Sequence, residues 1–168
     1  MVRGTLLLLA LLSGGTPREA LENTWAAVQE GSPRIFLGSL TPETSSSILD
    51  SCSVYLDLLR SYSRERLGEI FASLRIEAAP DEVLRWDSLA VLEMIMSSPG
   101  HHALVNDTDV LVDSVRTIDS MAVVHVTVVL PDGSREPVVF HTALSPLGWR
   151  TGGLEPLMGE ILEAVLAE

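Results

Sequence analysis

Residues 121–144 read MAVVHVTVVLPDGSREPVVFHTAL, and this stretch decides the fold. Apolar residues alternate with other residues on both sides of Pro131, which is the two-residue period of a β-strand. Asp132-Gly133 between the two runs is typical of a hairpin turn. The stretch therefore predicts two antiparallel strands, Met121–Leu130 and Val138–Leu144.

The same short period continues on either side of the hairpin. Val110–Ile118 predicts a strand before the turn at Asp119-Ser120, and Trp149 begins a short extended segment that ends at Gly152. We therefore expect a curved antiparallel sheet of three to four strands in the second half of the chain.

The first half of the chain has the 3.6-residue period of helices instead. Thr16-Pro17-Arg18-Glu19 is a capping-box signature and starts the first predicted helix. Ser97-Ser98-Pro99-Gly100 is interpreted as the end of the last helix before the sheet. The predicted helices cover residues 17–30, 33–40, 42–62, 64–74 and 80–98, with a further amphipathic helix after the sheet over 154–167.

This order predicts an α+β fold: a helical amino-terminal half packed on the sheet, with an additional carboxy-terminal helix. With 168 residues, 46% of them hydrophobic, the chain suits one domain with a sizeable core. We assign residues 16–168 to that domain.

Residues 1–15 have the order of a secretory signal peptide. Arg3 lies in a short basic start, residues 5–12 form an apolar run, and small residues end at Gly15 before a cut at Thr16. The run is shorter than the ~20 residues that span a bilayer. We expect an exported bacterial protein, periplasmic or extracellular. A lipid anchor is not expected, because Gly15 occupies the position of the lipobox Cys.

The charge of the chain restricts its binding partners, and its cysteine content restricts its disulfide bonds. The net charge is −12, and all 11 basic residues are Arg. An acidic chain without basic clusters is not expected to bind nucleic acid, whose phosphates require positive charge. Cys52 is the single cysteine, so no intramolecular disulfide can form, and we expect a buried, inert thiol. No membrane span and no cofactor are expected, and a homodimer is compatible with the sequence.

Helices followed by an antiparallel meander with an Asp-Gly hairpin and a terminal Gly-Trp resemble the nuclear-transport-factor-2-like superfamily. The parts that carry the resemblance are the helical opening Ala20–Gly31, the turn Leu37–Pro42, the strands 123–130 and 138–140, and Trp149. The resemblance implies a cone in which the sheet wraps a long helix and leaves a pocket. It implies no single activity, because this scaffold carries many unrelated sites.

Strand register suggests one candidate catalytic group. If residues 132–134 form the loop, Val126 lies opposite Phe140 and His125 lies opposite His141 on the other face. With Asp113 on the neighbouring strand, two imidazoles and a carboxylate would act as an acid–base group, as in isomerases and dehydratases. The alternative interpretation is two histidines on a solvated sheet face.

Two further groups of residues could in principle form a metal site or a ligand pocket. His101-His102 with Asn106, Asp107, Asp109 and Asp113 match no metal-ligand spacing, so we interpret them as a solvated loop and predict no metal site. Trp25, Phe71, Trp86 and Met94 sit among apolar residues and are predicted to line a small-molecule pocket if the cone is open.

These observations support three hypotheses. The leading one is an exported, non-catalytic binding protein with a cone-like pocket for a small apolar ligand or a protein partner. The second is an acid–base enzyme that uses His125, His141 and Asp113. The third is an acidic cytoplasmic chaperone, dimeric and built from helices and sheet.

Overall fold

The computed structural model describes residues 14–73 and 75–154. Within them, helices occupy the first half and a four-stranded antiparallel sheet the second, which confirms the predicted α+β fold class. Residues 1–13 of the predicted signal peptide and residues 155–168 of the predicted final helix lie outside the described residues.

Most helices begin at a proline, whose missing N–H costs nothing at a helix start. Thr16 forms the predicted capping box: its hydroxyl accepts from the Glu19 N–H at 3.2 Å, and its own N–H donates to the Glu19 carboxylate at 3.1 Å. In the described part of the chain, no helix is both long enough and apolar enough to cross a membrane. The helices are α1 (Pro17–Gln29), α2 (Pro33–Ser39), α3 (Pro42–Ser61), α4 (Arg64–Ser73), a 3₁₀ helix (Pro80–Arg85), α5 (Ser88–Ser97) and α6 (Pro99–Asn106).

The helical region before the sheet differs from the prediction in two places. The single helix predicted over residues 80–98 is wrong, because the Asp87 carboxylate accepts from the Ala90 N–H at 2.9 Å and begins α5 as a separate helix. The loop predicted around His101 is also wrong. The Ser98 hydroxyl accepts from the His101 N–H at 3.2 Å, so Ser98-Pro99 begins a helix rather than ending one.

The sheet is a meander in the order β1-β2-β3-β4, with strands β1 (Asp109–Ile118), β2 (Met121–Val129), β3 (Arg135–Ser145) and β4 (Gly148–Gly152). Val126 pairs with Val138 and Val124 pairs with Phe140, so the predicted register is wrong by two residues. The loop begins one residue earlier than expected, at Pro131, whose fixed φ suits the first corner of a turn. Gly133 completes the turn at φ +82°, where a side chain would be strained.

A two-residue shift leaves every side chain on its predicted face, because the strand period is two. The inner face of β2 and β3 carries Val124, Val126 and Phe140, all buried in the core. His125 and His141 lie on the opposite, exposed face. The helices therefore cover one face of the sheet, as the alternation predicted.

Two short segments from the first half of the chain pair with β4 at the edge of the sheet. Leu40 forms a parallel bridge with Thr151, and Gly14 forms an antiparallel bridge with Trp149. The Gly14 N–H donates to the Trp149 carbonyl at 3.1 Å, and the Trp149 N–H donates to the Gly14 carbonyl at 2.9 Å. Gly14 is buried, and a Cβ there would clash with the Ala20 backbone nitrogen. Gly14 thus belongs to the packed structure, although it precedes the predicted cleavage point.

This bridge predicts a difference between two mature forms of the protein. In a shortened form of the chain that begins at Thr16, both hydrogen bonds to Trp149 are lost, whereas in one that begins at Ser13 they are retained; the two forms are prepared as recombinant variants. We expect the shorter chain to lose about 1–3 kcal/mol of unfolding free energy, at about 0.5–1.5 kcal/mol per bond. Urea unfolding of the two chains measures this difference, and equal midpoints would show that the bridge contributes nothing.

A second prediction concerns two threonines that are paired across β3 and β4. The buried Thr142 hydroxyl has no hydrogen-bond partner, whereas the Thr151 hydroxyl lies 2.9 Å from that of Thr24. Thr142→Val should raise the unfolding free energy by about 1 kcal/mol, because it removes an unsatisfied buried hydroxyl at nearly constant volume. Thr151→Val should lower it by about 1 kcal/mol because it breaks a buried hydrogen bond. Thermal unfolding of both variants, compared with the parent protein, checks the opposite signs.

Candidate functional site

A cavity of about 180 Å³ lies between α1, α6 and the hairpin end of the sheet's inner face. Of the 16 wall residues in the described part of the chain, 13 are apolar, and the other three are Thr24, His101 and Thr108. The wall is formed by Leu21, Thr24, Trp25, Val28, Phe36, Ile95, Met96, His101, Val105, Thr108, Val110, Val128, Leu130, Val138, Phe140 and Leu154.

Helix α1 supplies one side of the wall through a single stripe. Leu21, Trp25 and Val28 are spaced by four and three residues, so they share one helix face. The adjacent face carries Ala20 and Ala27, which are 1% exposed and allow the helix to approach its neighbours closely. The cavity lies beside the larger side chains of Leu21, Trp25 and Val28.

The sheet supplies the opposite side at the end where β2 turns into β3. Val128 and Val138 are inner-face residues near the hairpin, and both are half-buried. Phe140, one inner-face position further along β3, is 6% exposed and is part of the core. The strand period that places these residues on one face thus also places them in the cavity wall.

His101 is the titratable residue in this wall. Its side chain is 8% exposed, and its Nε2 lies 3.2 Å from the Val28 carbonyl at the end of α1. Because a carbonyl oxygen only accepts, Nε2 carries a proton in this contact. Burial lowers the pKa of His101 below its ordinary value of 6.5, and the neighbouring His102 lowers this pKa further; the hydrogen bond to Val28 opposes both effects.

The Thr24 hydroxyl is already engaged within the protein. It lies 2.9 Å from the Ala20 carbonyl, from the Ser39 hydroxyl and from the Thr151 hydroxyl. Ser39 also donates to the Phe36 carbonyl at 2.7 Å. These contacts join α1, α2 and β4 behind the cavity and satisfy a polar group that would otherwise be costly to bury.

Of the four residues predicted to bind a ligand, Trp25 lies in this wall and the other three lie elsewhere. Phe71 and Trp86 stack on each other, with ring centroids 5.6 Å apart and planes inclined by 20°. Met94 is half-buried and packs against the core. The stacked pair joins α4 to the segment before α5, so its aromatic surface is used for packing.

The proposed catalytic group does not line this cavity. His125 pairs with Val139 and His141 pairs with Val123, so the expectation that the two histidines face each other directly is wrong. Both residues are exposed. Asp113 lies at a bulge in β1, and its carboxylate accepts from the Thr127 hydroxyl at 2.8 Å. The three residues share the outer face of the sheet, where bulk water surrounds them.

Neither the His101-His102 group with its neighbouring acidic residues nor Cys52 is arranged for metal binding or nucleophilic chemistry. Within residues 14–73 and 75–154, no three His, Cys, Asp or Glu side chains are close enough to hold a metal ion. Cys52 is fully buried, and burial raises the pKa of its thiol to about 11. The thiol therefore stays protonated near neutral pH and is a poor nucleophile, in agreement with the expected inert cysteine.

The sequence interpretation missed His101 and the α6 side of the cavity, because Pro99-Gly100 was interpreted as a stop. The missed signal is Ser98-Pro99 followed by His101, Val105 and Thr108 at spacings of four and three. Those are the positions of one helix face.

Comparison of the chain with protein families, with curated proteins and with solved structures found no match.

Burial of His101 predicts a pH dependence of stability. Its pKa is lower in the folded protein, so between pH 6.5 and that lower value the unfolded chain binds the proton more readily. The full contribution to stability is present above about pH 6.5 and is lost as the pH falls toward the folded-state pKa. We expect a lower urea midpoint at pH 5.5 than at pH 7.5, a range in which most exposed carboxylates stay ionised.

The matched variants for this experiment are His101→Gln and His125→Gln. His101→Gln should reduce the difference between the two midpoints, whereas His125→Gln should leave it unchanged because His125 is exposed. A His101→Gln protein with the parent's pH dependence would contradict the assignment.

Proposed function

We propose that this chain is an exported, non-catalytic binding protein that holds a small apolar ligand in the cavity between α1, α6 and the sheet. The observation that carries the proposal is the cavity itself, about 180 Å³ in volume with a wall of mostly apolar side chains. Its position between helices and the inner face of a sheet is also the position expected of a pocket in a cone-like fold.

The energetic cost of the cavity supports a role in binding. Apolar side chains that face free volume lose packing contacts, and this loss costs stability. A ligand that restores the missing contacts recovers part of this cost, so binding and folding are linked.

The volume and the wall together indicate the size and kind of ligand. An apolar cavity of ~150 Å³ stays free of water and accepts a molecule as small as benzene. The cavity here is slightly larger, at about 180 Å³. It suits one aromatic ring with a small substituent, or a short branched hydrocarbon.

The exposed histidines support the enzyme hypothesis less well. A general base must reach its substrate in a site that positions both, and His125 and His141 lie on an exposed face away from the cavity wall. The binding hypothesis uses the part of the molecule where apolar surface and free volume coincide.

Cavity filling tests the proposal. Toluene at 100 times its Kd should add about 2.7 kcal/mol to the unfolding free energy of the parent protein. Val138→Phe places a ring in the cavity and should abolish the increase in Tm. Val139→Phe, one residue along β3 and 46% exposed on the other face, should retain the increase.

Thermal unfolding with and without toluene is the measurement. The Tm of Val138→Phe without ligand shows that the variant is folded. The proposal is wrong if toluene leaves the parent's Tm unchanged, or if it raises the Tm of Val138→Phe as much as that of the parent.

A further inference from the structure

The polar groups of the cavity wall determine which ligands can enter it. No Asp, Glu or Arg is present among the 16 described wall residues, and the whole chain contains no Lys. The described part of the wall therefore offers no charge to pair with a charged ligand. Any selectivity must come from Thr24, His101 and Thr108.

Each of these three side chains is already engaged within the protein. The Thr24 hydroxyl has three polar neighbours at 2.9 Å, and the Nε2–H of His101 donates to the Val28 carbonyl. Thr108 also has an interaction partner of its own in the chain. The Thr24 hydroxyl has a single proton and the ring N–H of His101 is already donated, so neither offers a free donor to an anionic ligand.

The neutral state of His101 removes the other source of charge. An imidazolium would have both ring nitrogens protonated and would attract a carboxylate. The ring instead lies 8% exposed beside the apolar residues Val28 and Val105, where a charge is poorly solvated. At neutral pH the cavity therefore presents no net charge to a ligand.

We propose that the cavity selects by charge: it takes an uncharged ring-sized molecule and rejects carboxylates and ammonium ions of the same shape. This inference rests on the proposed function, because it concerns the ligand of the same cavity. A charged ligand would lose its hydration without gaining a counter-ion from these wall residues, and desolvation of an unpaired charge costs far more than burial of a ring gains.

Nitrobenzene and benzoate provide the test because they are nearly identical in shape and differ by one negative charge. Calorimetric titration of the full chain at pH 8 should show nitrobenzene binding and benzoate binding at least ~100-fold more weakly. Benzylammonium should be rejected in the same way relative to ethylbenzene. Val138→Phe serves as the control that binding occurs in the cavity, since it should abolish the nitrobenzene signal.

The outcomes separate this inference from the proposed function. If benzoate and nitrobenzene bind with similar affinity and Val138→Phe abolishes both, the cavity binds ligands but does not select by charge, and the inference is overturned. If neither nitrobenzene nor ethylbenzene binds, the proposed function fails and the inference fails with it. Selective binding of both neutral probes supports the inference.

Discussion

The burial of the sheet's inner face by α1 is the constraint on which the rest of the structure depends. Val124 and Val126 are at most 1% exposed, and a β-strand with such side chains is stable only when another layer covers it. Helix α1 contributes Ala20 and Ala27 to that layer, and the Thr24 hydroxyl links it to α2 and β4.

The cavity results from the way this layer is completed. Small side chains allow α1 to pack closely at Ala20, where Trp149 and Ala122 form a small buried cluster. Near the hairpin, the wall combines the larger Trp25 and Val28 with α6, which begins only after the break at Ser98. Rigid helices that meet a twisted sheet at different points cannot fill every space, and here the remaining volume is collected in one place.

Much of the fold could be predicted from the sequence because period and capping are local properties. The two-residue alternation of residues 121–144 identified the hairpin strands, and Thr16 to Glu19 identified the start of α1 to the residue. The predictions failed where one residue type has two uses. Proline at position 99 begins a helix as readily as it follows one, and Pro131 moved the start of the loop one residue earlier than in the predicted loop 132–134.

The cavity was only partly predictable, because its wall combines residues far apart in the chain. Trp25 was selected for its apolar surroundings, but the same argument selected Phe71 and Trp86, which stack on each other instead. Local sequence does not reveal whether an aromatic side chain meets another or meets free volume. The pairing of His101 with Val28, 73 residues earlier, is equally invisible to a local pattern.

The edges of the sheet affect how copies of the protein behave at high concentration. Leu40 and Gly14 occupy positions along the outer side of β4, and the bulge at Asp113 interrupts the regular pairing pattern of β1 and places a carboxylate there. Unprotected strand edges recruit further strands and start fibrous aggregates, whereas bulges and charges on edge strands oppose this. Neither edge of the sheet therefore offers a long, regular template to which a further strand could add.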